Sequence, residues 1–308
     1  MFTLKIAEDT IDKFAYFVNA TAQSNALIVS GPSGIGKKHI VESFIKKQLK
    51  ITNLLHHNLL WMDLAESGVQ AEKVRKISDF IYKTSYDNQT KYIVLDEADK
   101  LNVFAYNSLL KILEEPTKFT IFILISSNYK LLPATIKSRC ITAKIIPSSQ
   151  KESIEMVRAS YQTISDDDLH KYCYLANYLP FRAMKFIDKE YLVFYERLID
   201  AMLNLATDAQ KSLKEFDQII KDVDQELVSY ALNHILTKAI LYVAKRQDVE
   251  MLLEKERMLI ETILYLHPSM AELLLLEEKI KFLIVNLEQS SLSKQNVFLL
   301  IIYKLMYN

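Results

Sequence analysis

GlyProSerGlyIleGlyLysLys, residues 31–38, holds three of the chain's four glycines within six positions. A chain that otherwise avoids glycine and concentrates it in one loop needs positive φ or close backbone approach there. The loop follows the apolar run AlaLeuIleValSer (26–30) and precedes the helical pattern HisIleValGluSerPheIleLysLys (39–47), the strand–loop–helix setting in which a phosphate-binding loop works. Gly31, Gly34 and Gly36 would let backbone N–H groups wrap the phosphates. The helix N-terminus adds positive partial charge, and Lys37 would reach the outer phosphates. The next position of such a loop carries Ser or Thr, whose hydroxyl ligates Mg²⁺. Here it is Lys38, and an ammonium repels the metal instead of coordinating it. ATP with Mg²⁺ therefore stays open as a ligand while hydrolysis is disfavoured, and a strand–helix turn without any ligand is the competing reading.

Four further apolar runs of strand length, LeuLeuTrpMetAspLeu (59–64), TyrIleValLeuAsp (92–96), ThrIlePheIleLeuIleSer (120–126) and CysIleThrAlaLysIle (140–145), extend the pattern. They alternate with helical spacing in 74–82 and 105–113. Near-continuous apolar strands between helices imply a parallel sheet covered on both faces. The run 92–96 ends in Asp96 followed by Glu97, at the strand end where such sheets place ligands. With a phosphate loop upstream, Asp96 would hold the Mg²⁺ shell and Glu97 would polarise an attacking water. Ser126–Ser127–Asn128 could read a γ-phosphate or simply open a loop, with equal weight. Arg139 stands just before the last strand, where a lone arginine is most often a surface charge.

Past Pro147 the strand-like runs stop. Ser149 with Glu152, Ser165 with Asp168, and Ser269 with Glu272 have the spacing of helix-start caps. The expectation is an α/β domain over 1–148, a small helical module over 149–188, and a bundle of about five helices over 189–308 with breaks near Asp208, Asp222, Gln247, Pro268 and Ser291.

Composition bounds the function. The 308 residues are half apolar and one quarter charged, enough for folded cores and too much for a single one. Lys plus Arg equal Asp plus Glu at 38 each, so no overall field advertises nucleic acid or membrane. Residues 1–148 carry 19 basic and 14 acidic side chains, and 149–308 carry 19 and 24. Lys73, Arg75, Lys76 and Lys83 share one helical pattern, better read as a solvated face than as a DNA contact. Two cysteines, Cys140 and Cys173, supply neither a four-thiolate zinc site nor a disulfide framework, which suits the cytosol. The start of the chain shows neither a signal peptide nor a membrane span. A soluble chain without zinc or any other structural metal is expected, with His56 and His57 as loop residues.

The motifs together resemble the clamp-loader branch of the AAA+ superfamily, and within it most closely the delta-prime subunits of bacterial DNA polymerase III. The likeness rests on the glycine loop, LeuAspGluAlaAspLysLeuAsn (95–102), AsnSerLeuLeuLysIleLeuGluGluPro (107–116) and LeuLeuProAlaThrIleLysSerArgCys (131–140). It implies a RecA-like domain, a helical lid and a helical collar that joins subunits into a hetero-pentameric ring. It also implies that Arg139 of SerArgCys is an arginine finger acting on ATP held by the neighbouring subunit, and that the partners are other clamp-loader subunits, the sliding clamp and primer–template DNA. A guanidinium suits that role because its fork grips phosphate oxygens. Two features depart from the family's motor subunits. Residues 46–57 pass without the cysteines of a zinc module, and the lid position of the sensing arginine aligns with Phe181, Arg182 standing next to it. With Lys38, these favour a ring member that does not hydrolyse ATP itself. The alternatives are a motor-type clamp-loader ATPase and an AAA+ assembly ATPase unrelated to replication.

Overall fold

The computed structural model describes residues 2–5, 10–20, 25–64, 70–82, 90–114, 119–147, 149–206, 208–245, 253–285 and 294–307. Contacts divide it into two compact units, Met1–Gln162 with Tyr178–Arg182, and Thr163–Asn177 with Ala183–Asn308. The segment expected to form a lid, 149–188, is thus shared between them.

In the first unit the order is β1 (Phe2–Lys5), α1 (Thr10–Ala20), β2 (Ala26–Ser30), α2 (Lys37–Leu49), β3 (Leu59–Asp63), α3 (Gln70–Tyr82), β4 (Lys91–Asp96), α4 (Val103–Glu114), β5 (Thr120–Ser126), α5 (Ala134–Lys137), β6 (Ile141–Ile146) and α6 (Gln150–Ser160). The strands form one sheet in the order β1-β6-β2-β5-β4-β3, and all five pairings are parallel. Period-two alternation sorts the side chains between the faces. Leu27, Val29, Val94, Ile123 and Ile125 join Phe14 of α1 and Ile40, Val41 and Phe44 of α2 on one side. Ala26, Ile28, Ile93, Leu95, Phe122 and Leu124 meet Ile77 of α3, Leu109 of α4 and Ile136 of α5 on the other. Burying each large aliphatic contributes about 1.5–3 kcal/mol, which is why β2 and β4 read as unbroken apolar runs.

The five strands expected from the sequence are present. The edge strand β1 and helix α1 lie in a stretch read there only for the absence of a leader or span.

The second unit is helical: α7 (Asp166–Leu175), most of α8 (Pro180–Asp188), α9 (Tyr191–Leu203), α10 (Ala209–Asp222), α11 (Gln225–Lys245), α12 (Glu254–Leu266), α13 (Met270–Val285) and α14 (Lys294–Met306). Six helices follow residue 188 among the described residues, one more than expected. Gln247 and Ser291 lie outside the described residues, while Asp208 caps α10 by accepting the Lys211 N–H at 3.0 Å. Ser149 and Glu152 form a reciprocal capping box. Ser269 accepts from Glu272 N at 3.2 Å while Glu272 accepts from Ser269 N at 3.2 Å. Each such cap contributes about 1 kcal/mol.

Helix α11 is long and apolar enough to cross a membrane by length and composition. Its Leu227, Val228, Leu232, Ile235 and Leu236 are buried in the protein. Its His234 meets the fully buried Glu256 of α12 at 3.1 Å. The Glu256 carboxylate also accepts from Tyr174 and Tyr195 hydroxyls, each at 2.6 Å, and so ties α7, α9, α11 and α12 together.

Candidate phosphate-loop site

The glycine loop begins where β2 ends. Gly31 donates its N–H to Ser126 O at 3.3 Å, and a Cβ there would stand 2.6 Å from the Ile145 carbonyl oxygen. Gly34 and Gly36 have φ of 83° and 103°, a region that costs other residues about 1–3 kcal/mol. A Cβ on Gly34 would come within 2.5 Å of Arg182 Cβ, and one on Gly36 would run into the Phe181 ring. Gly36→Ala is therefore expected to lower stability by at least about 2 kcal/mol in urea unfolding. Adding Phe181→Ala should recover only the steric part of that loss; complete recovery would show that the backbone there is not strained.

Lys37 opens α2 and is 6% exposed. Its ammonium donates to Gly31 O at 2.8 Å, Pro32 O at 2.9 Å and Ser127 Oγ at 3.2 Å. Burial brings its pKa down to about 8 against the pull of Glu97, Asp99 and Asp96, and the Arg182 charge lowers it further. Lys38 turns the other way. Its Nζ lies 3.1 Å from Asp96 Oδ2 and 4.0 Å from Asp63 Oδ2. Partial burial works against its charge, but the hydrogen bond and charge of Asp96, with Asp63 and Glu42, raise its pKa on balance.

Asp96 is 6% exposed at the end of β4, and its Oδ1 accepts the Glu97 N–H at 3.1 Å. Glu97 adopts φ 58° and pairs with Lys100 at 3.1 Å. Asp99 accepts the Ser127 N–H at 3.0 Å. Asn128 caps the short turn after β5 by accepting from Lys130 N at 3.2 Å. The polar run 126–128 thus divides: Ser127 faces Lys37, and Asn128 opens a loop.

Mg²⁺ requires an oxygen cage. The carboxylates suited to it, Asp96 and Asp63, are already bound by an ammonium, so the residues present do not fit the metal. The glycine backbone is likewise engaged by the chain itself. Arg182 donates from N to Gly34 O at 3.1 Å and from Nη2 to Ser33 O at 2.6 Å, and the Phe181 ring packs on His39 with centroids 4.9 Å apart. The expectation that the lid position holds no arginine at the loop is corrected: Arg182 reaches it, because α8 starts with Pro180 and lays its first turn on Gly34 and Gly36. The sequence signal was the arginine one place beyond the aligned position. Lys38–Asp96 was missed for another reason, since strand register, and not spacing, brings Asp63 and Asp96 side by side.

Arg139 stands apart from this loop, between α5 and β6. Its Nη1 donates to Thr135 O at 3.0 Å, and its Nη2 is paired with Glu114 at the end of α4. Burial pushes the adjacent Cys140 thiol up to about 12, which leaves it inert. His56 and His57 stack at 4.2 Å, and His56 Nδ1 accepts the Asn58 N–H at 3.1 Å. Arg75 and Lys76 are exposed on α3; Lys83 and the Lys73 side chain lie outside the described residues.

Sheet order, glycine loop and helical second unit define an AAA+ protein with a RecA-like α/β domain. Residues 6–149 match the family described as DNA polymerase III, delta subunit. The chain is 32% identical over 137 residues to DNA polymerase III subunit delta′ of Pseudomonas aeruginosa, covering 38% of this chain and 42% of that protein. It is 29% identical over 150 residues to the gamma subunit of Buchnera aphidicola from Schizaphis graminum, covering 44% and 41%. Over its α/β domain the chain belongs to the clamp-loader family of DNA polymerase III and is delta-prime-like. It spans less than half the length of these relatives. A gamma subunit-related protein of Thermotoga maritima shares the fold, with a TM-score of 0.55, 14% identity, and coverage of 96% of this chain and 98% of that one.

Proposed function

We propose that the chain is a delta-prime-type member of a cytoplasmic clamp-loader ring, divided in function into 1–148, a lid over 149–188 and a collar over 189–308. It assembles with other clamp-loader subunits into a hetero-pentamer, supplies Arg139 to ATP on its neighbour, and helps place the sliding clamp on primed DNA. Asp96 and Glu97 keep the position of metal and water carboxylates without their task. The observation that carries this reading is the Lys38–Asp96 ion pair at 3.1 Å, which puts a fixed positive charge where a motor subunit needs Mg²⁺. In this reading Gly31, Gly34, Gly36 and Lys37 serve as a brace between β2, α2 and Arg182.

The purified chain is expected to show no steady-state ATP turnover above background and to co-elute with motor-type clamp-loader subunits in size-exclusion chromatography. Turnover abolished by Glu97→Gln would refute the first part, and failure to co-elute would refute the second. Arg182 on the loop favours a second reading, a motor-type ATPase, since a lid arginine beside the phosphates is what a motor uses. That reading expects Mg²⁺-dependent turnover by the unaltered chain, so the same assay separates the two.

A further inference from the structure

Away from the α/β domain, the helical unit carries a pocket where the turn between α12 and α13 meets the end of α14. Its volume is about 370 Å³, and His267, Leu275, Leu276, Lys279, Tyr303 and Lys304 line it. His267 is 7% exposed, and its Nε2 has no hydrogen-bond partner. Buried ring nitrogens are ordinarily paired, so this one calls for a partner from outside. Lys279 and Lys304 make no ion pair among the described residues, whereas neighbouring Lys281 is matched with Glu277 at 2.6 Å. The acid on the same wall, Glu272, is spent on capping α13. The remaining wall is apolar. Leu275 is 51% and Tyr303 59% exposed, the Tyr303 and Tyr307 rings stack at 4.8 Å, and an adjoining cavity of about 380 Å³ runs on along Leu275 and Phe282 with Glu278 among its lining.

The geometry points to a docking site for a short peptide segment of a partner protein, one that sets a carboxylate beside a bulky apolar side chain. The carboxylate would accept from the His267 ring N–H and lie between the two unpaired ammonium groups. The apolar side chain would cover Leu275 and Leu276 and pack on the Tyr303 ring. Charge complementarity selects this occupant: the uncommitted groups in the pocket are donors and cations over an apolar floor, which a neutral or basic segment leaves unsatisfied. The inference stands independently of the proposed ring function.

The test is fluorescence anisotropy on the full chain with a fluorescein-labelled peptide of aspartate, leucine, glutamate, leucine and phenylalanine with a free C-terminus. Saturable binding is expected, weakening as salt rises. It should fall at least about tenfold in Lys279→Glu/Lys304→Glu and severalfold in His267→Phe. The lysines are surface residues, so the double variant keeps the test valid should the histidine variant misfold. The proposal is overturned by absence of saturable binding up to about 1 mM, or by equal binding of the amidated peptide carrying asparagine and glutamine. It is overturned equally by sedimentation showing a dimer of the chain that the double lysine variant dissociates, since a second copy would then be the occupant.

Discussion

Arg139→Ala is expected to lower DNA-stimulated ATP turnover at the adjacent motor site of a reconstituted clamp loader by roughly 10³–10⁵-fold, the usual contribution of an arginine finger. Folding and assembly should be nearly unchanged. The Arg139–Glu114 pair is half exposed on both sides, and such surface pairs contribute only about 0–1 kcal/mol. Arg139→Lys should rescue little, because an ammonium keeps the charge and loses the two-pronged geometry. The measurement needs the other motor sites disabled, since their turnover would mask the loss. Full turnover at the neighbouring site in the Arg139→Ala complex would make Arg139 an ordinary surface residue, held by Thr135 O and Glu114 for the sake of α4 and α5 alone.

The second large effect belongs to stability. Glu256→Leu should destabilise the helical unit by about 3–5 kcal/mol, because it leaves two tyrosine hydroxyls and the His234 ring without their shared acceptor inside a packed core. Glu256→Gln keeps the volume and should cost less, about 1.5–3 kcal/mol, as charge-assisted hydrogen bonds become neutral ones. Burial alone would raise the Glu256 pKa, but hydrogen bonds from His234, Tyr174 and Tyr195 and the charge of His234 hold it below the usual carboxylate value. The folded state therefore binds this proton less readily than the unfolded chain. The stabilisation is complete above the unfolded value of about 4.3 and is lost as pH falls through the lower folded value. Urea unfolding as a function of pH should show an acid loss in the unaltered chain that is smaller in Glu256→Leu. Identical pH profiles would mean that Glu256 does not contribute in its ionised form.

The α/β half was legible because its physics is local and repetitive. Runs such as 92–96 and 120–126 are apolar on both faces, and only a doubly covered parallel sheet produces that. The glycine loop was equally clear, since positive φ at Gly34 and Gly36 leaves a mark in composition. What stayed hidden depends on neighbours distant in sequence. Asp63 looked like an acid inside a strand run until the β3–β4 register set it beside Asp96 and under Lys38. Glu114 was part of a family motif whose contact with Arg139 crosses from α4 to the end of α5. In the helical half, the spacing of apolar residues located breaks and caps but gave no sign that Glu256 points inward. A lone glutamate in GluLysGluArg looks solvated in any sequence.

The pairing of β1 with β6 reaches further than its four residues suggest. Phe2 lies opposite Ala143 and Lys5 opposite Ile146, so the first strand to be synthesised waits for the last strand of its sheet. On the ribosome, β1 has no neighbour until nearly half the chain has emerged, and contacts closed over so long a loop form slowly. The remaining strands can assemble with β6 as a bare edge, a template for pairing with other chains until β1 covers it. The timing of that one edge closure, rather than the strength of the core, then governs how much newly made protein is lost to aggregation.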